Sequence, residues 1–313
     1  MNVRQPSIYK WLSTSRTVGQ SATLACLLEA SAPKAGNVHP TAEFEDMQFA
    51  DFVVSSTVIG NVFELAAQRG VGQLVLDAVI ATQHHLDVNT NLGTLLLLAP
   101  LTKALTRWQV SNTARPSASD LRSAVADVLQ GLSPLDAQLV YDAILRVKPG
   151  GLGQSKSLDI RGQVPDDLRT AMRFASEVDA VARQYVVDFE QVCGELVMWL
   201  RDCLTRGLNI LDAVCEVQLR WLADNGDGLI VRKVGSEIDI QVKHLASVAL
   251  RESLDTRRRG NAWQALDTFL RADGHRRNPG TTADLIAAAL FVLLTTDSNE
   301  LLPGPSIDDD DFR

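Results

Sequence analysis

The run LLLLAPL at residues 95–101 constrains this chain more than any other stretch. A helical segment that is apolar on every side can be satisfied only where other elements enclose it. The residues ahead of it, NTN at 89–91 and Gly93, read as the loop and cap from which that buried helix starts. Enclosure by helices is what the composition supports. Leu, Ala and Val dominate, aromatic residues are only 5% of the 313, and an all-β sandwich would lean on aromatic and β-branched residues instead. The expectation is an all-α fold, a single multi-helix domain over 1–313.

Periodicity places the elements. Val18, Ala22, Ala25 and Cys26 repeat at helical spacing, and Glu29 falls on the same stripe, so a carboxylate points to the core side. PKAGNVHP (33–40) breaks that helix. Phe49, Phe52, Val53, Ser56, Ile59 and Phe63 then mark a second, with Glu45 and Asp46 expected in its first turn. Further helices are expected at 73–85, 91–108, 118–130, 134–147, 166–187, 190–205, 209–224, 260–272 and 282–295. GLIVRKV (228–234) reads as a short β-like run interrupting the series. Residues 148–165 form the longest irregular segment, and the tail 304–313, ending IDDDDFR, reads as a disordered, solvated charge run.

Several function classes drop out. A formal charge of −8 argues against broad nucleic-acid binding, because releasing phosphate counterions needs a basic face. No run of about 18 apolar residues and no apolar leader core occurs, so neither a membrane span nor export is expected. Cys26, Cys193, Cys203 and Cys215 lack CxxC spacing, which fits reduced thiols in the cytoplasm. The P-loop, dinucleotide, nucleophile-elbow and HExxH fingerprints are all missing. His84, His85 and Asp87 have no further spaced ligand to make a transition-metal site and read as helix-end residues.

Any site must therefore come from scattered loops at helix N-termini, where free N–H groups favour anions. Four qualify. The first joins Glu29, Lys34, Gly36 and Asn37 to Glu45 and Asp46, a cation and hard oxygen ligands of the kind magnesium takes alongside substrate phosphates. The second is Asn89, Thr90, Asn91 and Gly93, with Asn89 or Thr90 as the expected cap. DGLIVRKVG is the third, setting Asp227 ahead of the adjacent cations Arg232 and Lys233. The fourth, NPGTTADL, offers Thr281 or Thr282 as a cap and Asp284 in a first turn.

In this order, EASAPKAGN (29–37) with DM (46–47), NTNLG (89–93), DGLIVRKVG (227–235) and NPGTTADLIAA (278–288) resemble the triphosphoribosyl-dephospho-CoA synthase family over most of the chain. The likeness is to its divergent branch, found widely in archaea and some bacteria. Pro33-Lys34-Ala35-Gly36 stands for Pro-Lys-Pro-Gly, and Phe44 for the histidine two residues before the Asp-Met pair. Asn91 and Leu92 replace the His and Lys of NTHKG.

The resemblance implies a transferase that moves the triphosphoribosyl part of ATP to dephospho-CoA or a related acceptor and releases adenine. It implies ATP as substrate and magnesium as cofactor, with Asp46, Asp227 and Asp284 as metal ligands. Catalysis would fall to Glu29 and Asp46. Lys34, Gly36, Asn37, Asn89, Thr90, Asn91, Gly93, Arg232, Lys233 and Thr282 would bind the nucleotide. The expected partners are small molecules, with neither nucleic acid nor membrane, and a homodimer is left open as the assembly. Two rival readings remain: a magnesium-dependent enzyme with another acceptor or with water in its place, and a helical binding protein without catalysis.

Overall fold

The computed structural model describes residues 11–12, 14–86, 91–147, 167–256 and 260–297. Asp87, Asn89, Thr90, the 148–165 loop and the 304–313 tail lie outside the described residues. The element order is α1 (Val18–Ser31), α2 (Phe49–Phe63), α3 (Val71–Gln83), α4 (Leu92–Ser111), α5 (Ala118–Gln130), α6 (Pro134–Val147), α7 (Leu168–Ala175) and α8 (Ala180–Val186). A π-helical turn, Gln191–Leu196, then runs into α9 (Val197–Thr205). The chain continues through α10 (Ile210–Asn225), α11 (Gly228–Val234), α12 (Ser236–Thr256), α13 (Asn261–Arg271), a short extended segment Ala272–His275, and α14 (Gly280–Thr295). The fold is all-α, with no sheet among the described residues.

Helix α14 is the axis. From Leu285 to Thr295 every side chain is buried, and α1, α4, α8, α10 and the π turn pack around it. Helix α4 is enclosed in the same way from Thr94 to Thr102, as the leucine run requires. A second, smaller core joins α10, α11, α12 and α13, and Ala35 of the loop after α1 is buried in it. That loop is thereby trapped between the two cores.

Pro100 sits inside α4 and has no N–H to give the carbonyl of Leu96, four residues back. A carbonyl left bare in a dry core is costly. Tyr185, fully buried on α8, supplies the missing donor: its hydroxyl donates to the Leu96 carbonyl at 2.6 Å. Burial pushes the Tyr185 hydroxyl well above its ordinary pKa, so it stays a donor.

Several expectations are corrected. GLIVRKV is helix α11, not a β-like run. Its β-branched residues lose to capping: Asp227 accepts from the Leu229 and Ile230 N–H groups, and Gly235, at φ 94°, ends the helix. Helix α12, the longest, was not anticipated, although Ile238, Val242, Leu245, Ala246 and Ala249 share a helical stripe. The expected 166–187 helix breaks at 176–179, where Asp179 caps α8. Glu45 and Asp46 precede α2 in a tight turn between Phe44 and Met47, and Asp51 occupies the first turn instead. The caps of α4 and α14 are Asn91 and Pro279, which leaves Thr281 and Thr282 inside the helix. His84 and His85 end α3, as expected.

Replacing Tyr185 by Phe keeps the ring and strands the Leu96 carbonyl. We expect a loss of about 1–3 kcal/mol, read as a lower denaturation midpoint at an unchanged m-value. An unaltered midpoint would show that the carbonyl has another donor.

Candidate active site

A cavity of about 480 Å³ opens where the N-termini of α4 and α14 meet the C-terminal end of α1. That is the size of an ordinary small-ligand pocket. Its deep end holds Glu29, Asp284 and the Asn91–Thr94 turn, and its polar corner holds Asp46, Arg232, Lys233 and His275. Tyr141, Ile144 and Val147 of α6 with Leu168 and Met172 of α7 make an apolar wall.

Glu29 is delivered by the α1 stripe and fixed by a buried cation. Lys34 is fully enclosed, its Nζ 2.8 Å from Glu29 Oε1, and it also donates to the Glu29 and Ala32 carbonyls. An enclosed ammonium stays charged only when so paired. Lys34 therefore stands behind the cavity and holds Glu29 at its edge. The loop carrying it is pinned on both sides. Gln218 bonds the backbone N–H and carbonyl of Ala35 and the side chain of Asn37. Asp267 accepts from the Gly36 N–H, and Arg271 donates to the Asn37 carbonyl. Gly36 adopts φ 73°, where any Cβ would strike Leu270.

Asp284 caps a helix other than its own. Its Oδ1 accepts from the Thr94 N–H at 2.8 Å and the Thr94 hydroxyl at 2.6 Å, at the start of α4. Gly93 makes this approach possible: a Cβ there would lie 2.1 Å from Asp284 Oδ2. Burial pushes the Asp284 carboxyl up to about 8, the Thr94 hydrogen bonds pull it back in part, and the Glu29 charge raises it further. Asn91 makes no capping bond with its side chain and faces the cavity.

Asp227 does the same for α14. Its Oδ2 accepts from the Thr282 N–H and hydroxyl, both at 2.7 Å, while Oδ1 caps α11. Burial raises its carboxyl to about 6 against these bonds. Both oxygens are occupied, so Asp227 and Thr282 lie behind the wall as structure. Arg232 and Lys233, one helix further on, do reach the cavity. Arg232 pairs with Asp179, and its buried Nε has no partner among the described residues. Burial lowers the Lys233 ammonium's pKa, which favours a nearby anion.

The structure thus brings Glu29, Asn37, Asp46, Asn91, Gly93, Arg232, Lys233 and Asp284 around one cavity, and sets Lys34, Gly36, Asp227 and Thr282 in its supports. Sequence reasoning missed Asp179 and His275. Asp179 caps α8 and pairs with Arg232. His275 bonds Asp46 from 229 residues away, a contact that no local pattern announces.

A magnesium site built from Asp46, Asp227 and Asp284 does not fit. Asp46 is held by His275, Asp227 is saturated, and Asp284 is bound to Thr94. Among the described residues, the three ligand-type side chains that do come together are Asp202, Cys203 and Glu216. Arg206 and Arg220 already neutralise that group.

Fold and site together define an all-helical enzyme whose cavity pairs a carboxylate floor with a cationic corner, suited to a polyphosphorylated small molecule. The chain belongs to the family of ATP:dephospho-CoA triphosphoribosyl transferases (CitG), whose model matches residues 15–301. It is accordingly a transferase that moves the triphosphoribosyl group of ATP to dephospho-CoA or a related acceptor with release of adenine. A solved structure from Archaeoglobus fulgidus, provisionally assigned as a triphosphoribosyl-dephospho-CoA synthase, is similar at a TM-score of 0.60 and 25% identity. The similarity covers 78% of this chain and 98% of that one. No curated protein sequence matches. Among the described residues, no helix is long and apolar enough to cross a membrane.

Asp284 gives a pH prediction with a definite sign. Its pKa is about 8 folded and about 4 unfolded. Between these values the folded state holds the extra proton, so this carboxyl's contribution to stability is complete below about pH 4 and is lost as pH rises towards 8. Asp284→Asn keeps an acceptor for Thr94 and cannot ionise. The melting temperature of wild type should fall relative to the variant between pH 5 and pH 8. Parallel pH profiles would show that Asp284 does not titrate in this window.

Proposed function

We propose that ATP lies with its triphosphate in the Arg232–Lys233 corner and its ribose over the turn Asn91–Thr94, so that C1′ faces Glu29 and Asp284. The observation that carries this reading is the convergence of opposite chemistries in one cavity: cations at one corner, two buried-edge carboxyls at the floor. Cations placed ahead of the reaction stabilise a polyphosphate at no cost of reorganisation.

The acceptor hydroxyl oxygen bonds to C1′ as the bond from C1′ to the adenine N9 breaks with its electron pair. Glu29, paired with Lys34 at 2.8 Å, takes the hydroxyl proton. Asp284, protonated at neutral pH, gives a proton to departing adenine. Carboxyls held at different protonation states are the usual means of splitting acid from base roles. Asn37 and Asn91 orient the substrates, and the transition state carries oxocarbenium character at C1′.

Magnesium enters this reading as the counter-ion of ATP. A magnesium ion keeps most of its shell as water and phosphate oxygen, so ATP can carry it without a dedicated protein cage. No step depends on it. The four buried thiols, none paired in a disulfide, fit a reducing cytoplasm, and the homodimer stands as a proposal for solution measurement.

One observation favours an acceptor other than dephospho-CoA. Leu92 stands in the cavity lining where the motif carries a lysine, in a cavity that α6 and α7 also line with apolar side chains. An acceptor with a less charged body would suit that side.

Incubating the protein with ATP, magnesium and dephospho-CoA and measuring adenine and the coupled product by mass spectrometry tests donor and acceptor together. Adenine with triphosphoribosylated dephospho-CoA supports the main reading, and ATP binding without adenine release supports another acceptor. ADP or free ribose triphosphate would mean hydrolysis instead. Glu29→Gln keeps a partner for Lys34 but removes the base, and should lower kcat by roughly a hundredfold or more. An unchanged kcat would remove Glu29 from the chemistry.

A further inference from the structure

The cavity holds one ionisable pair that the steps above do not use. His275 and Asp46 both line it, and the His275 Nδ1 lies 3.0 Å from Asp46 Oδ1. The ring is fixed on its faces as well as its edge. Phe44 meets it in a T-shaped contact at 6.1 Å, and the Arg271 guanidinium covers Phe44 at 5.1 Å.

The segment carrying His275 is tied to the cationic corner. Arg276 donates to the Lys233 carbonyl and to Asp273, and the Asn278 N–H returns to the His275 carbonyl. An imidazole held by a carboxylate on one nitrogen and free on the other has its second nitrogen set for a ligand.

The charge balance says which ligand. Arg232 is already half-spent on Asp179, and Lys233 is the remaining cation among the cavity-lining residues. A further donor beside these two would widen the grip on a triphosphate.

We propose that His275, oriented by Asp46, is a third triphosphate-binding residue beside Arg232 and Lys233, donating from its free ring nitrogen to a phosphate oxygen of ATP. This rests on the placement of ATP given above. Donation to both partners takes a hydrogen on each ring nitrogen. Asp46 is then a positioning residue, acting through His275 rather than on substrate.

Calorimetric binding of ATP, inorganic tripolyphosphate and adenosine to wild type, His275→Ala, His275→Gln and Asp46→Asn separates this role from its rivals. His275→Ala should weaken ATP and tripolyphosphate by a common factor of roughly ten or more and leave adenosine unchanged. His275→Gln, which keeps an N–H donor, should recover part of the loss, and Asp46→Asn should show a smaller loss in the same direction. In adenine release, the KM for ATP should rise with kcat nearly unchanged. Unchanged tripolyphosphate binding would overturn the proposal. So would an equal loss of adenosine binding, which would mean that the cavity itself has collapsed. A fall in kcat at constant KM would make His275 a proton-transfer group instead. Wild type that binds neither ATP nor tripolyphosphate would overturn the placement of ATP itself, a result distinct from all of these.

Discussion

Carboxylates that cap helices remote in sequence hold this structure in register. Asp239 on α12 accepts from the Asp227 N–H at 2.8 Å. Asp227 in turn caps its own helix, α11, and the first turn of α14. Asp284, which lies beyond the first turn of α14 and not in it as the sequence suggested, caps α4. Each link satisfies N–H groups that a helix start leaves without partners. The two cores, which share α10, are also joined along this line, and the cavity lies where it passes from α14 to α4.

The arrangement makes stability and site chemistry compete. A carboxyl taken out of water resists ionisation, and both Asp227 and Asp284 are displaced upward by burial despite their donors. Asp227 has every oxygen occupied and faces protein, so its displacement is only a cost of assembly. Asp284 sits in the cavity, where the same displacement gives a group that holds a proton near neutral pH. Glu29 instead has the enclosed cation Lys34 at 2.8 Å, so the two carboxyls stand in different electrostatic surroundings.

How much of this was legible follows from the range of each interaction. Glu29 could be read because it falls on an i, i+3, i+4 stripe, a relation internal to α1. The burial of α4 could be read from its leucines alone. The α11 segment was misread because Val and Ile at adjacent positions suggest a strand, whereas the outcome was set by one capping carboxylate just ahead of it. Helix α12 was missed although its apolar stripe is local to it. His275, Asp179 and the cross-helix caps had no local trace, since their partners lie 229, 53, 190 and 55 residues away. Motif order announced that these loops meet, but not which side chains would face the ligand and which would only brace it.

The departures from the better-known motifs can be sorted by the same geometry. Position 93 is closed to change, because any Cβ there would drive Asp284 off the α4 start and with it the register of α14. Positions 91 and 92 carry no such constraint. Asn91 caps α4 with its backbone and leaves its side chain to the cavity, and Leu92 adds apolar surface to the cavity lining. Lys34, Asp227 and Asp284 are bound into the fold, and the cations at 232 and 233 follow directly from the Asp227 cap that starts α11. Change at 91 and 92 therefore leaves the carboxylate caps in place, whereas change at 93, 227 or 284 breaks them.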